Sequence, residues 1–181
     1  MIDALQDFTT GFPDWLQWLG VMIVSAIPFV DSELGAVIGV LIGLPTAIAV
    51  AVAVIGNIVA MLIFVQTAYS ARTKVVAHQR KRALVGAGVA GDDPAGTSAA
   101  SPVPAAESPR REKLRRAFDK YGVAGVSLLG PTILPSQITS AAMVSFGADR
   151  KLVIIWESIA ITLWGVAFGV LASLGLSLAL R

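Results

Sequence analysis

The 181-residue sequence has no cysteine and a single histidine, His78. Without thiols there is no disulfide scaffold, thiolate metal centre or cysteine nucleophile. One histidine supplies neither a histidine metal cluster nor a Ser/His/Asp triad within one chain. No catalytic set is assembled, so the sequence reads as a non-enzyme with no metal and no cofactor. Charge is scarce too: 14% of residues are Asp, Glu, Lys or Arg, against about 25% in a soluble domain. With 55% hydrophobic residues and a mean hydropathy of +0.75, the composition is that of an integral membrane protein. Residues 1–20 hold Asp3, Asp7 and Asp14 but no base. A secretory signal starts with positive charge, so no cleavable signal is expected.

The charge that exists is concentrated. Of 14 Lys and Arg, 11 lie between residues 70 and 120; the others are Arg150, Lys151 and Arg181. By the positive-inside rule the basic segment faces the cytoplasm, which reads it as a topology signal and not as a nucleic-acid footprint. Within it, 19 of the 27 residues from 83 to 109 are Ala, Gly, Pro or Ser, a composition expected to stay disordered. Gly86 to Gly91 satisfies the dinucleotide fingerprint only by coincidence, since no strand–helix unit surrounds it.

The apolar sequence falls into four stretches. Residues 15–44 open with Trp15 and Trp18 and are interrupted by Ser25, Pro28, Asp31, Ser32 and Glu33. Residues 45–69 are long enough for one tilted crossing. Residues 121–147 are broken by Gly130-Pro131 and Pro135, and 152–180 form a long apolar helix holding Glu157. Four simple crossings would put Arg150-Lys151 outside, against the charge rule. Two re-entrant hairpins, 15–44 and 121–147, each about a dozen apolar residues either side of its break, restore it. The expected fold is therefore an all-α integral membrane protein of two inverted repeats, each a re-entrant hairpin plus a transmembrane helix. The segments are an external N-terminal piece (1–14), a first repeat (15–69), a cytoplasmic basic loop (70–120) and a second repeat (121–181). A weak echo, Gly20-Val21 with Val24-Ser25 against Gly122-Val123 with Val126-Ser127, fits that plan. Interrupted segments at corresponding positions of two repeats point to a transporter binding site.

Ionisable residues at membrane depth are expensive and by default functional. Asp31 and Glu33 at the first break are the sharpest signal, either as proton-loading acids or, for Asp31, as a helix cap. The second break offers Pro131, Pro135, Ser136, Gln137 and Thr139, whose prolines withdraw backbone donors and leave carbonyls to be satisfied. Facing breaks would form a polar chamber; Ser136 alternatively caps its half-helix. Asn57 either lines the chamber or bonds across to another helix. Glu157, six residues beyond Lys151, either enters it or snorkels to the interface. Small residues at 35, 39 and 43 and at 165, 169, 173 and 177 give two close-packing faces. One of them, left spare, would hold a homodimer together.

The stretch Ala26 to Gly35, then Gly56-Asn57, Lys120-Tyr121-Gly122 and residues 131–150 resemble the bacterial small multidrug export family. The plan is also similar to that of the DedA/SNARE-associated membrane proteins with facing re-entrant hairpins. The resemblance implies a multi-pass protein of the bacterial inner membrane that transports small hydrophobic or lipid-like substrates. Its partners would be membrane lipid, protons and that substrate. It carries the family acids onto Asp31 and Glu33 and the hairpin arginine onto Arg150. The second hairpin holds no second acid. A lipid-carrier or phospholipid translocase, and a non-transporting scaffold whose acids only cap helices, are the alternatives.

Overall fold

A computed structural model describes residues 2–87, 109–129 and 134–180, with side chains described from 2–79, 112–129 and 134–180. Pro131 and most of the Ala/Gly/Pro/Ser-rich stretch, with the end of the Gly86–Gly91 motif, lie outside the described residues. Seven α-helices account for nearly all the rest: α1 (Ile2–Thr10), α2 (Gln17–Ser25), α3 (Asp31–Leu41), α4 (Thr46–Ala87), α5 (Pro109–Leu129), α6 (Ser136–Phe146) and α7 (Arg150–Ala179). No strand occurs among the described residues.

The two halves follow one element plan. Two short helices are joined at a break, and a long helix follows. The short ones are α2 and α3 in the first half, and the end of α5 with α6 in the second. α5 kinks at Gly122 (φ 68°), which leaves a short apolar arm from Val123 to Leu129. Helices α3 and α6 have 11 residues each, a rise of about 16 Å against an apolar bilayer core of about 30 Å. Both stop in the same way. Gly43 (φ 93°) and Gly147 (φ 111°) adopt the left-handed conformation that side chains disfavour. The next amides, Leu44 and Ala148, reach back to the Gly39 and Met143 carbonyls at 3.0 Å, which is the Schellman closure. Then Pro45 leads into α4, and Asp149 caps α7 by accepting from the Lys151 and Leu152 amides at 2.8 and 3.0 Å.

Helices α4 and α7 are long and apolar enough to cross a membrane. Large apolar side chains cover their outer faces, with Ile63 61% and Leu171 63% exposed. Helix α4 does not end near Tyr69 as the apolar pattern suggested. It runs 42 residues to Ala87, because residues 70–85 contain good helix formers and neither Gly nor Pro. Helix α5 likewise begins at Pro109, so both flanks of the basic loop are helical. There Leu114, Ala117 and Phe118 turn one face onto α6, with the Phe118 and Phe146 rings 6.2 Å apart.

Small residues set the packing. A Cβ on Gly35 would lie 1.8 Å from Ser25 Oγ, and one on Gly56 would lie 2.1 Å from the Met22 carbonyl oxygen. These are backbone-close crossings of α2 with α3 and α4. Gly39 meets Ala49, Gly165 meets Val54 and Ser32, and Gly169 meets Val50 and Ala36. Both expected small-residue faces are therefore used inside the chain at these glycines. The spare stripe on which the homodimer argument rested is not found there, because α3 and α7 close on α4 and on each other. Gly43, expected on the first of these faces, instead has open space around it and ends α3.

These contacts fix directions. Gly35 lies by Ala53 and Gly39 by Ala49, so α3 runs antiparallel to α4. Ser136 and Gln137 lie at Asn57, while Gly147 lies by Arg72 and Arg150 by Gln66, so α6 runs parallel to α4. Consequently α3 and α6 approach each other N-terminus to N-terminus.

Candidate functional site

The meeting point of α3 and α6 is polar. At the first break Pro28 interrupts the helix, and the chain turns through bonds such as Ile27 N–H to the Val24 carbonyl and Val30 N–H to the Ile27 carbonyl, both 3.1 Å. Two non-glycine residues take positive φ here, Phe29 at 76° and Asp31 at 51°. Such conformations cost of order 1–3 kcal/mol and cluster at functional sites. They bring the Asp31 carboxylate toward the second hairpin. At the second break Pro135, with φ −54° and ψ 144°, precedes Ser136 at the start of α6.

Ser136 Oγ donates to Asp31 Oδ1 at 2.6 Å, joining positions 105 apart in sequence. Asn57 Oδ1 on α4 lies 3.0 Å from the same hydroxyl and accepts from Gln137 Nε2 at 2.6 Å. A serine has one hydroxyl hydrogen to give. With Asp31 charged, Ser136 donates to it. With a proton on Asp31, the acid can donate to Ser136, whose hydrogen then turns to Asn57. The hydroxyl hydrogen thus has two positions open to it, where the starts of α3 and α6 meet α4.

A second acid lies close by on α7. Glu157 is 1% exposed, and one of its oxygens accepts from Ser127 Oγ at 3.2 Å. It does not snorkel. Its other oxygen has no hydrogen-bond partner, nor do Asn57 Nδ2, Gln137 Oε1 and Glu33 Oε2, all shielded from water. Buried polar atoms are nearly always paired. Ser32 ties α3 to α7 by donating to the Ile161 carbonyl at 2.9 Å.

Glu33 turns to a neighbouring cleft of about 250 Å³ lined by Phe29, Val30, Asp31, Glu33, Leu34, Trp164 and Phe168. Asp31 belongs to both the cleft and the hydroxyl–amide group. The α3 N-cap position, Val30, has no side-chain cap bond, and the α6 N-cap, Pro135, has none either. Thr139 is buried and donates to the Leu134 carbonyl at 3.3 Å, a local bond that holds the second break.

The structure thus brings together Asp31, Asn57, Ser136 and Gln137, with Glu33 and Glu157 flanking them. Pro135 shapes the approach. Arg150 is not in the group: its guanidinium donates to Gln66 Oε1 at 2.8 Å and lies 4.8 Å from the Tyr69 ring centroid, at the base of the second hairpin. Ser127, Trp164 and Phe168 are the members that sequence reasoning missed as site residues. Ser127 was visible only as half of the Val-Ser echo, and its counterpart Ser25 bonds its own helix at the Val21 carbonyl. No group of three or more His, Cys, Asp or Glu that could hold a metal ion occurs among the described residues. Comparison with protein-family profiles, curated proteins and solved structures finds no match to this chain.

Proposed function

We propose that this chain is a multi-pass transporter of the bacterial inner membrane, with two inverted repeats whose re-entrant hairpins meet in a polar chamber. Its substrate is a small hydrophobic or lipid-like molecule, moved at the expense of protons loaded on Asp31 and Glu33. The observation that carries this reading is the Asp31–Ser136 hydrogen bond with Asn57 behind it. A proton-responsive contact between two hairpin tips is what coupling a proton to a change of access requires. The apolar outer faces of α4 and α7 support the membrane setting, since irregular backbone is tolerated there only where it lines a cavity.

Helix α7 starting beside Gln66 and Tyr69 supports a cytoplasmic Arg150-Lys151, on the same side as the basic segment. Self-association, which would shield the chamber from lipid, has to use a face other than the Gly35–Gly39 and Gly165–Gly169 contacts.

Purified protein in proteoliposomes with an imposed pH gradient tests the proposal. Solute-dependent proton flux is expected, and Asp31→Asn with Glu33→Gln abolishes it. Undiminished flux in that double variant removes the coupling role.

A further inference from the structure

The two hairpins place serines at matching positions and use them differently. With the helix-ending glycines Gly43 and Gly147 aligned, Ser32 falls on Ser136, and Asn57 of α4 falls on Ile161 of α7. Ser25 and Ser127 correspond through the Val-Ser echo. In the first hairpin both hydroxyls donate to backbone carbonyls, Ser25 to Val21 at 2.7 Å and Ser32 to Ile161 at 2.9 Å. In the second both donate to carboxylates on other elements, Ser127 to Glu157 at 3.2 Å and Ser136 to Asp31 at 2.6 Å. We propose that Glu157 is a second proton-responsive positioning residue, which with Asp31 clamps the second hairpin so that proton uptake loosens that hairpin and leaves the first in place. The inference rests on the transport reading and deepens it by naming the acid that acts with Asp31 and the element they release.

A hydrogen bond to an ionised carboxylate is roughly twice as strong as a neutral one. A proton from the aqueous phase, added to a carboxylate oxygen, removes that advantage. Here it does so at the arm from Val123 to Leu129 and at α6. A backbone carbonyl takes up no proton in this way, so the ties of the first hairpin do not respond. The titratable groups facing these two acids are Glu33, beside Asp31 on α3, and each other. Helices α4, α5 and α6 present only neutral side chains to them, Asn57, Ser127, Ser136 and Gln137. The packing carries the same asymmetry. A Cβ on Gly35 or Gly56 would run into Ser25 or the Met22 carbonyl, so the first hairpin is seated at backbone distance. Gly20, at the start of its arm, is covered by α1, with Thr9 2.6 Å from where a Cβ would lie. Its echo partner Gly122 takes φ 68° with nothing within 4 Å of that position. The second arm therefore begins at an unclamped joint. Two ties of that hairpin involve no acid, the Trp164 indole N–H to the Leu128 carbonyl at 3.1 Å and Gln137 to Asn57 at 2.6 Å. They keep the loosened hairpin attached.

Electron-spin distance measurements on the full-length chain in lipid nanodiscs test this, since the chain has no cysteine of its own to take a label. One spin-label pair, Ser145→Cys with Leu171→Cys, reports the second hairpin against α7. Another, Leu41→Cys with Ile63→Cys, reports the first hairpin against α4; all four positions are exposed. Lowering the pH is expected to bring up a second distance population in the 145/171 pair and none in the 41/63 pair. Glu157→Gln should halve the proton dependence of that change, from a slope of about two protons to about one. Asp31→Asn with Glu157→Gln should show the second population at every pH. Ser127→Ala removes the donor and spares the acid, and should raise that population severalfold at high pH, whereas Ser25→Ala should not. A 145/171 distance indifferent to pH, motion of the 41/63 pair, an unchanged slope in Glu157→Gln, or a Ser127→Ala protein that titrates like the parent overturns the assignment. Where Glu157→Gln fails to fold, the Ser127→Ala result decides. Hairpin motion with these signatures but no solute-dependent proton flux sinks the transport reading and leaves the clamp. Flux that is lost in Asp31→Asn with Glu33→Gln, without hairpin motion in the parent, does the reverse.

Discussion

The first hairpin brings acids to the junction and the second brings neutral donors. Asp31 and Glu33 stand at the start of α3, while Ser136 and Gln137 stand at the start of α6. Their backbones are otherwise alike, with 11-residue helices, glycine-terminated ends and a long helix following each. If both tips carried carboxylates, like charge would hold them apart. An acid facing a hydroxyl closes to 2.6 Å. The tips therefore meet through an acid on one side and a hydroxyl on the other. Repetition of the backbone supplies the frame, and its chemical asymmetry supplies the site.

That comparison can be broken at the frame or at the chemistry. The largest effect is expected at the frame. Gly56→Leu drives a side chain into the Met22 carbonyl and should cost about 3 kcal/mol, read as loss of monodisperse protein in mild detergent. Gly39→Leu and Gly169→Leu should likewise destabilise the single chain, since both glycines pack inside it. A Gly169→Leu protein that folds normally but dissociates from a partner copy would reverse that assignment.

Next comes the bridge. Asn57→Leu removes the acceptor of Gln137 and strands a fully buried amide, at about 2 kcal/mol, measured by unfolding in mixed micelles. A double-mutant cycle on Asp31→Ala and Ser136→Ala should then give a coupling of about 1.5 kcal/mol. The longer Ser127–Glu157 contact, at 3.2 Å, should give a smaller one, about 0.5 kcal/mol. The smallest effect is expected outside the junction. Arg150→Ala loses an exposed hydrogen bond and a ring contact and should shift stability by no more than about 1 kcal/mol, leaving flux unchanged.

Much of the frame was legible because it depends on local rules. Pro28 and Pro135 mark breaks whatever the tertiary context, and apolar runs declare long helices, whereas Gly43, expected on a packing face, ends α3. The continuation of α4 to Ala87 is not, because charge and a falling apolar count mark the end of an apolar span and not of a helix. Charge ends a membrane crossing, but only a lost propensity ends a helix. At the site, Asp31, Asn57, Ser136 and Gln137 stood out as polar residues in apolar surroundings, and the structure gathers them. Arg150, expected at the site only through the family resemblance, sits elsewhere, at Gln66 and Tyr69. The aromatic wall of Trp164 and Phe168 was invisible, because apolar rings in an apolar helix carry no contrast. The fates of the two glycine stripes were equally hidden, since a small-residue face does not name its partner.

The central claim is that the two tips touch, and crosslinking tests it most directly. The chain has no cysteine of its own, so Asp31→Cys and Ser136→Cys can be paired cleanly in one protein carrying a protease site between residues 88 and 108. After treatment with a short thiol-to-thiol crosslinker and cleavage, the two halves should stay joined on a denaturing gel. A Gly43→Cys and Ser136→Cys control, at opposite ends of α3, should fall into two pieces. Separation of the 31/136 pair, or joining of the 43/136 pair in its place, would contradict the account.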